Sequence, residues 1–206
     1  MNRRSLVVIS AGLSQPSSTR LLADQLAAAT REELTRNGVT VDVQMTELRD
    51  HAHDLMNHLL TGFPSTRLKE VIDAVAAADG LIAVTPIFNA SYSGLFKPFF
   101  DVVDDTMLSD KPVLIGATGG TARHSLALEH ALRPMFTYLH AVVMPTAVFA
   151  ATEDWAGRTV DTALRGRVRR AGRELSDQMV RRDEREVTDP FALTTTFEDL
   201  LTRSFE

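Results

Sequence analysis

The sequence predicts an α/β domain built on a doubly wound, five-stranded parallel sheet with helices on both faces. Three observations carry the prediction. Short apolar runs rich in Val, Ile and Leu, as strands buried on both faces should be, alternate with segments whose apolar residues recur at helical spacing. Each run is closed by a cluster of Gly, Pro, Ser or Asn, the punctuation of βαβ units. At 206 residues the chain suits a single core and falls short of the roughly 250 residues of a (β/α)₈ barrel.

The first strand is Ser5–Ser10. Its unbroken apolar run, Leu6 to Ile9, is too short for the h-region of a secretory signal, although Arg3 and Arg4 precede it. Leu22, Leu26 and Ala29, at i, i+4 and i+7, mark the core-facing stripe of the first helix. Val39–Thr46 is the second strand, followed by a stretch that reads as solvated. Within it, His51, Asp54 and His58 would share a face if the segment were helical, with His53 and Asp50 nearby, the one cluster that imitates a metal site. No metal is expected there. Leu68, Val71, Ile72 and Val75 mark the next helix, Gly80–Thr85 the third strand and Pro112–Ala117 the fourth. Leu128, Leu132, Met135 and Leu139 form another helical stripe, and Val142–Phe149 is the fifth strand. A last helix, Thr162–Arg181, sets Leu164, Val168, Ala171, Leu175 and Met179 on one face.

Right-handed crossovers between such strands suit the order 2-1-3-4-5 of a flavodoxin-like sheet. Residues 1–182 are expected to form this domain. The tail 183–206 is more polar, with Pro190 and a short amphipathic piece at Phe197, Leu200 and Leu201. Two fates fit its composition, packing on a partner subunit or remaining mobile.

Composition narrows the chemistry. A net charge of −5 and a pI near 5.7 give no electrostatic footprint for nucleic acid. No apolar stretch approaches the roughly 20 residues of a membrane span, so a cytoplasmic location is expected. The absence of cysteine excludes disulfides, thiolate zinc sites, iron–sulfur clusters and thiol redox catalysis. Redox chemistry in this chain therefore belongs to a bound cofactor, with no catalytic side chain expected.

A sheet of this order places its ligand beyond the carboxyl ends of the strands, between the first and third. The loop after the first strand runs Ser10-Ala11-Gly12-Leu13-Ser14-Gln15-Pro16-Ser17-Ser18-Thr19. Its hydroxyls, together with the free N–H groups at a helix start, suit a phosphate monoester; Ser17 or Ser18 could equally serve as a plain helix cap. After the third strand comes Pro86-Ile87-Phe88-Asn89-Ala90-Ser91-Tyr92-Ser93-Gly94, too apolar for a surface loop and suited to a flat isoalloxazine ring. Tyr92, Phe96, Phe99 and Phe100 are also good material for a subunit interface. After the fourth strand, Thr118-Gly119-Gly120 lets the backbone approach a ligand, although its glycines miss the GxGxxG spacing of a dinucleotide fingerprint.

With these three loops in order, the chain resembles the NAD(P)H-dependent FMN (flavin mononucleotide) reductase family, including the alkanesulfonate-type reductases that supply two-component monooxygenases. The resemblance is carried by Ala78-Asp79-Gly80-Leu81-Ile82 through Thr85-Pro86, by Tyr92-Ser93-Gly94 and Lys97, and by Ala117-Thr118-Gly119-Gly120-Thr121 with His124. It implies FMN and NADPH or NADH as cofactors, a phosphate site at Ser10, Ser17, Ser18 and Thr19, and ring contacts from Pro86, Ile87, Phe88, Asn89, Thr118, Gly119 and Gly120. It also implies a homodimer or homotetramer and a flavin-dependent monooxygenase as partner. Two departures stand out. Gln15 occupies a place where many relatives carry arginine, and His130 one where some carry an inserted tyrosine linked with a π-bulge. Arg123 and Arg133 are candidates for the 2′-phosphate of NADPH, and His124 and His130 are expected at the rim of the flavin site.

Overall fold

The computed structural model describes residues 3–155 and 162–182; the expected tail, 183–206, lies outside the described residues. Strand β1 (Arg3–Ser10) lies at the centre, parallel to β2 (Thr40–Glu47) on one side and to β3 (Gly80–Phe88) on the other. Beyond β3 and its short antiparallel partner β4 (Ser91–Tyr92) comes β5 (Pro112–Gly119), parallel to β3 and flanked by β6 (Val142–Val143) and β7 (Val148–Ala151). With β6 and β7 taken as one interrupted strand, this is the expected order 2-1-3-4-5.

Alternation along the strands builds two cores. Leu6 and Val8 of β1 and Ile82 and Val84 of β3 face α1 (Ser18–Arg36) and α6 (Thr162–Arg181). Val7, Ile9, Leu81 and Ala83 face α3 (Thr66–Ala77), after a short helix α2 (Ala52–Thr61), together with α4 (Phe96–Asp101) and α5 (Arg133–Tyr138). The expected stripes of α1, α3 and α6 are all buried. Gly172 lets α6 press on α1: a Cβ there would stand 2.9 Å from the Ala29 carbonyl carbon.

Five sequence expectations need correction. The stretch after β2 is not simply solvated, for it forms a 3₁₀ turn (Leu48–His51) and then α2, anchored by buried Leu55. Strand β3 continues three residues past Thr85, because Asn89 and Ala90, at φ 48° and 68°, make the tight turn that folds Ser91–Tyr92 back upon it. The fifth strand breaks at Met144–Ala147, where Pro145 has no N–H to give the ladder. Arg133 takes the carbonyls of Met144 and Pro145, and Glu174 takes the Thr146 N–H and hydroxyl, each at 2.8 Å. The stripe at 128–139 opens with a π turn (Leu128–Leu132) despite the histidine at its centre. Leu128, Leu132 and Leu139 are buried as expected, but Phe136, four residues past Leu132, enters the core and Met135 only flanks it. Finally, Phe96, Phe99 and Phe100 are not interface material, since they form an aromatic cluster with Phe136 inside this chain's own core.

Burial works against the charge of Glu174, but hydrogen bonds from Arg170 and Thr146 outweigh it and hold the carboxyl below its ordinary value of 4.5. A carboxylate depressed on folding stabilises above its unfolded value and loses that contribution as the pH falls through the folded one. Glu174→Gln should therefore cost about 1 kcal/mol in urea unfolding at pH 7. The cost should shrink as both proteins are taken to acid.

Candidate functional site

The crossover from β1 runs to one face of the sheet through α1, whereas that from β3 runs to the other through α4. Between the two departing loops lies a cleft of about 380 Å³, floored by the carboxyl ends of β3 and β5. Of the residues expected at the site, Ser18, Thr19, Pro86, Ile87, Phe88, Thr118, Gly119 and Gly120 line it. Leu13, Ser14 and Thr152 also line it and were not singled out from the sequence.

Three expected residues do not line the cleft. Ser17 caps α1, its hydroxyl accepting from the Arg20 N–H at 3.2 Å. That cap is packed on Gly12, where a Cβ would stand 2.1 Å from the Ser17 Oγ, so the loop closes only over glycine. Ser10 sits beneath the helix start, fully buried, and its Oγ has no partner. Asn89 is exposed at the tip of the β3–β4 turn.

The two halves of the cleft are tied together. Thr19, in the first turn of α1, and Thr118, at the end of β5, are both nearly fully buried and share a hydrogen bond of 2.8 Å between their hydroxyls. The Thr85 hydroxyl accepts from the Ser93 N–H at 3.0 Å and fixes the hairpin base, while the Ser93 Oγ is buried without a partner. Behind the glycine pair, the Phe149 ring allows no side chain at position 119, where a Cβ would lie 2.9 Å from the ring tip. Gly120 differs, because a Cβ there would meet no atom within 4 Å. The protein itself does not need that glycine.

These features fit a flavin phosphate. An orphaned buried hydroxyl lies beneath the loop, free N–H groups gather at the start of α1, and open space lies over a backbone bare of side chains. Other expected contributors stand apart. Lys97 pairs with Asp101 on α4. Arg133 is engaged by Glu129, whose hydrogen bond raises the guanidinium and whose own carboxyl is lowered by it. His124 and His130 are exposed and do not line the cleft. His51 stands 3.9 Å from Asp54, and the described residues hold no group of three or more His, Asp or Glu arranged for a metal ion.

The profile of the NADPH-dependent FMN reductase family matches residues 4–156. The chain belongs to that family. It is 37% identical over 167 residues to an FMN reductase (NADPH) of Pseudomonas aeruginosa, covering 81% of this chain and 87% of the relative. It is 35% identical over 168 residues to the NADH-dependent FMN reductase SfnE of Pseudomonas putida, covering 81% and 88%. A crystal structure of an oxidoreductase from Corynebacterium diphtheriae superposes with a TM-score of 0.85 at 45% identity, over 89% of this chain and all of that one. The chain is thus an FMN reductase, an oxidoreductase that uses a nicotinamide nucleotide and FMN.

The open space at Gly120 separates ligand binding from folding. Gly120→Val should leave thermal unfolding within about 2 °C of the parent while weakening FMN binding by about tenfold or more. An unchanged flavin affinity would remove Gly120 from the site.

Proposed function

We propose that this cleft binds FMN with its phosphate at the Leu13–Thr19 loop and its isoalloxazine ring along Pro86–Phe88 and Thr118–Gly120. We also propose that the reduced flavin leaves to serve a flavin-dependent monooxygenase. The observation that carries the reading is the Thr19–Thr118 bridge, which joins a loop suited to phosphate to a loop suited to a ring, at a separation fixed by two buried hydroxyls. Ser18 and Thr19 supply hydroxyls to the phosphate, and Ser17 keeps the first turn of α1 in place to present its N–H groups.

Bound FMN supplies N5 as the acceptor of a hydride from nicotinamide C4. The chain's part is to stack, orient and exclude water. Ile87, nearly buried, offers an apolar edge, and the half-exposed Phe88 covers the mouth. The backbone N–H groups of Gly119 and Gly120 stabilise negative charge as it builds at the polar rim of the ring. The expected homo-oligomer draws on apolar residues left in solvent, foremost Leu60 and Phe63 at the end of α2. No helix among the described residues is long and apolar enough to cross a membrane, in keeping with a role in the cytoplasm.

Oxidation of NADPH and NADH by the purified protein, measured anaerobically with and without added FMN, tests the supply role. The expected result is a rate that rises with added FMN and yields free reduced FMN. Oxidation at a rate independent of added FMN, with the flavin retained, would assign the reductant to an acceptor that comes to the enzyme.

A further inference from the structure

The loop from Ala11 to Ser17 contains no cation of its own, but one reaches it from another element, Arg49. Placed in the 3₁₀ turn after β2 and only 17% exposed, Arg49 donates from Nη1 to the Ser14 carbonyl at 3.1 Å. The Gln15 amide faces the same guanidinium, and with its oxygen inward, the orientation its hydrogen-bonding neighbours require, it accepts from Nη2 and Nη1 at 2.5 and 3.1 Å. Glu47, at the end of β2, accepts from Arg49 at 3.0 Å and from Arg20, in the first turn of α1, at 3.1 Å. One carboxylate thus ties the guanidinium on the β2 side to the helix start that closes the loop. Asp24 and Asp50 stand on the outer sides of the two arginines, at 2.9 and 3.7 Å.

A planar trans peptide points its N–H opposite to its C=O. When the Ser14 carbonyl turns to Arg49, the Gln15 N–H is therefore aimed to the other side of the loop, and it has no partner among the described residues. Ser14 lines the cleft whereas Gln15 and Arg49 do not, so the guanidinium lies behind the loop and the free N–H on the side away from it.

We infer that Arg49 is a positioning residue for a phosphate monoester: it locks the Ser14–Gln15 peptide from behind, leaving its N–H on the side away from the guanidinium, and sets an arginine behind a loop that lacks a cation. The inference rests on the phosphate assignment made under Proposed function and adds a consequence, that Arg49 sets the preference for FMN over riboflavin. Riboflavin has the same ring and ribityl chain but ends in a hydroxyl.

Dissociation constants for FMN and riboflavin, from quenching of flavin fluorescence at low and high salt, test it with the wild-type chain, Arg49→Met and Arg49→Lys. Arg49→Met should weaken FMN about tenfold, leave riboflavin within about twofold, and flatten the salt dependence of FMN binding. Arg49→Lys, which keeps the charge without the planar fork, should recover part of the loss. If Arg49→Met does not fold, Arg49→Lys decides alone, with a selective severalfold loss for FMN expected. Equal losses for both flavins, or none for FMN, would overturn the role of Arg49. A wild-type chain that does not prefer FMN to riboflavin would instead overturn the phosphate assignment itself, a separate failure.

Discussion

The constraint on which the rest depends is the reversal of winding between β1 and β3. Both strands are central, parallel and hydrogen-bonded to each other, yet the chain leaves β1 toward the α1–α6 face and β3 toward the α4 face. Two loops that part in opposite directions cannot cover the strand ends between them, and a crevice forms there irrespective of side chains. Side chains then decide what the crevice can hold. Apolar residues at the end of β3 form one wall, and hydroxyls with a helix start form the other.

The walls are stiff, and each is stiffened locally. Gly12 lets the Ser17 cap close the first loop, Thr85 and the turn at Asn89–Ala90 fix the second, and Phe149 backs the third. The hydroxyl pair Thr19–Thr118 then makes them one unit, spanning 99 positions in the chain with a single buried contact. Preorganisation of this kind suits an enzyme whose cofactor carries the chemistry, because the protein's task is to hold rings and charges in register. Arg49 and Glu47 extend the same frame to the outer edge of the sheet.

Much of this was legible in the sequence, for reasons that differ by element. The buried strands and the stripes of α1, α3 and α6 were readable because their period is set by burial against one partner. The extension of β3 was not, because Asn89 and Ala90 lack the Asn-Gly signature by which a tight hairpin turn is recognised. The π turn at Leu128–Leu132 hid behind residues that also satisfy an α-helical spacing. Within the site, the loops were found because each carries its own composition. Thr152 was missed because it reaches the cleft from an element remote in sequence. Arg49, also remote in sequence, had one signal, the lack of any cation in the loop from Ala11 to Ser17 that is proposed to hold the phosphate.

The position of the flavin phosphate decides how the cleft works. A crystal structure of the protein with FMN measures this directly. The phosphate is expected within hydrogen-bond reach, about 3 Å, of N–H groups between Leu13 and Thr19, with the ring edge over Gly120. Density for FMN elsewhere, for instance in the groove between α1 and α6 beside Gln25 and Arg169, or with its phosphate at Gly119–Gly120 and its ring at the serine loop, would contradict it.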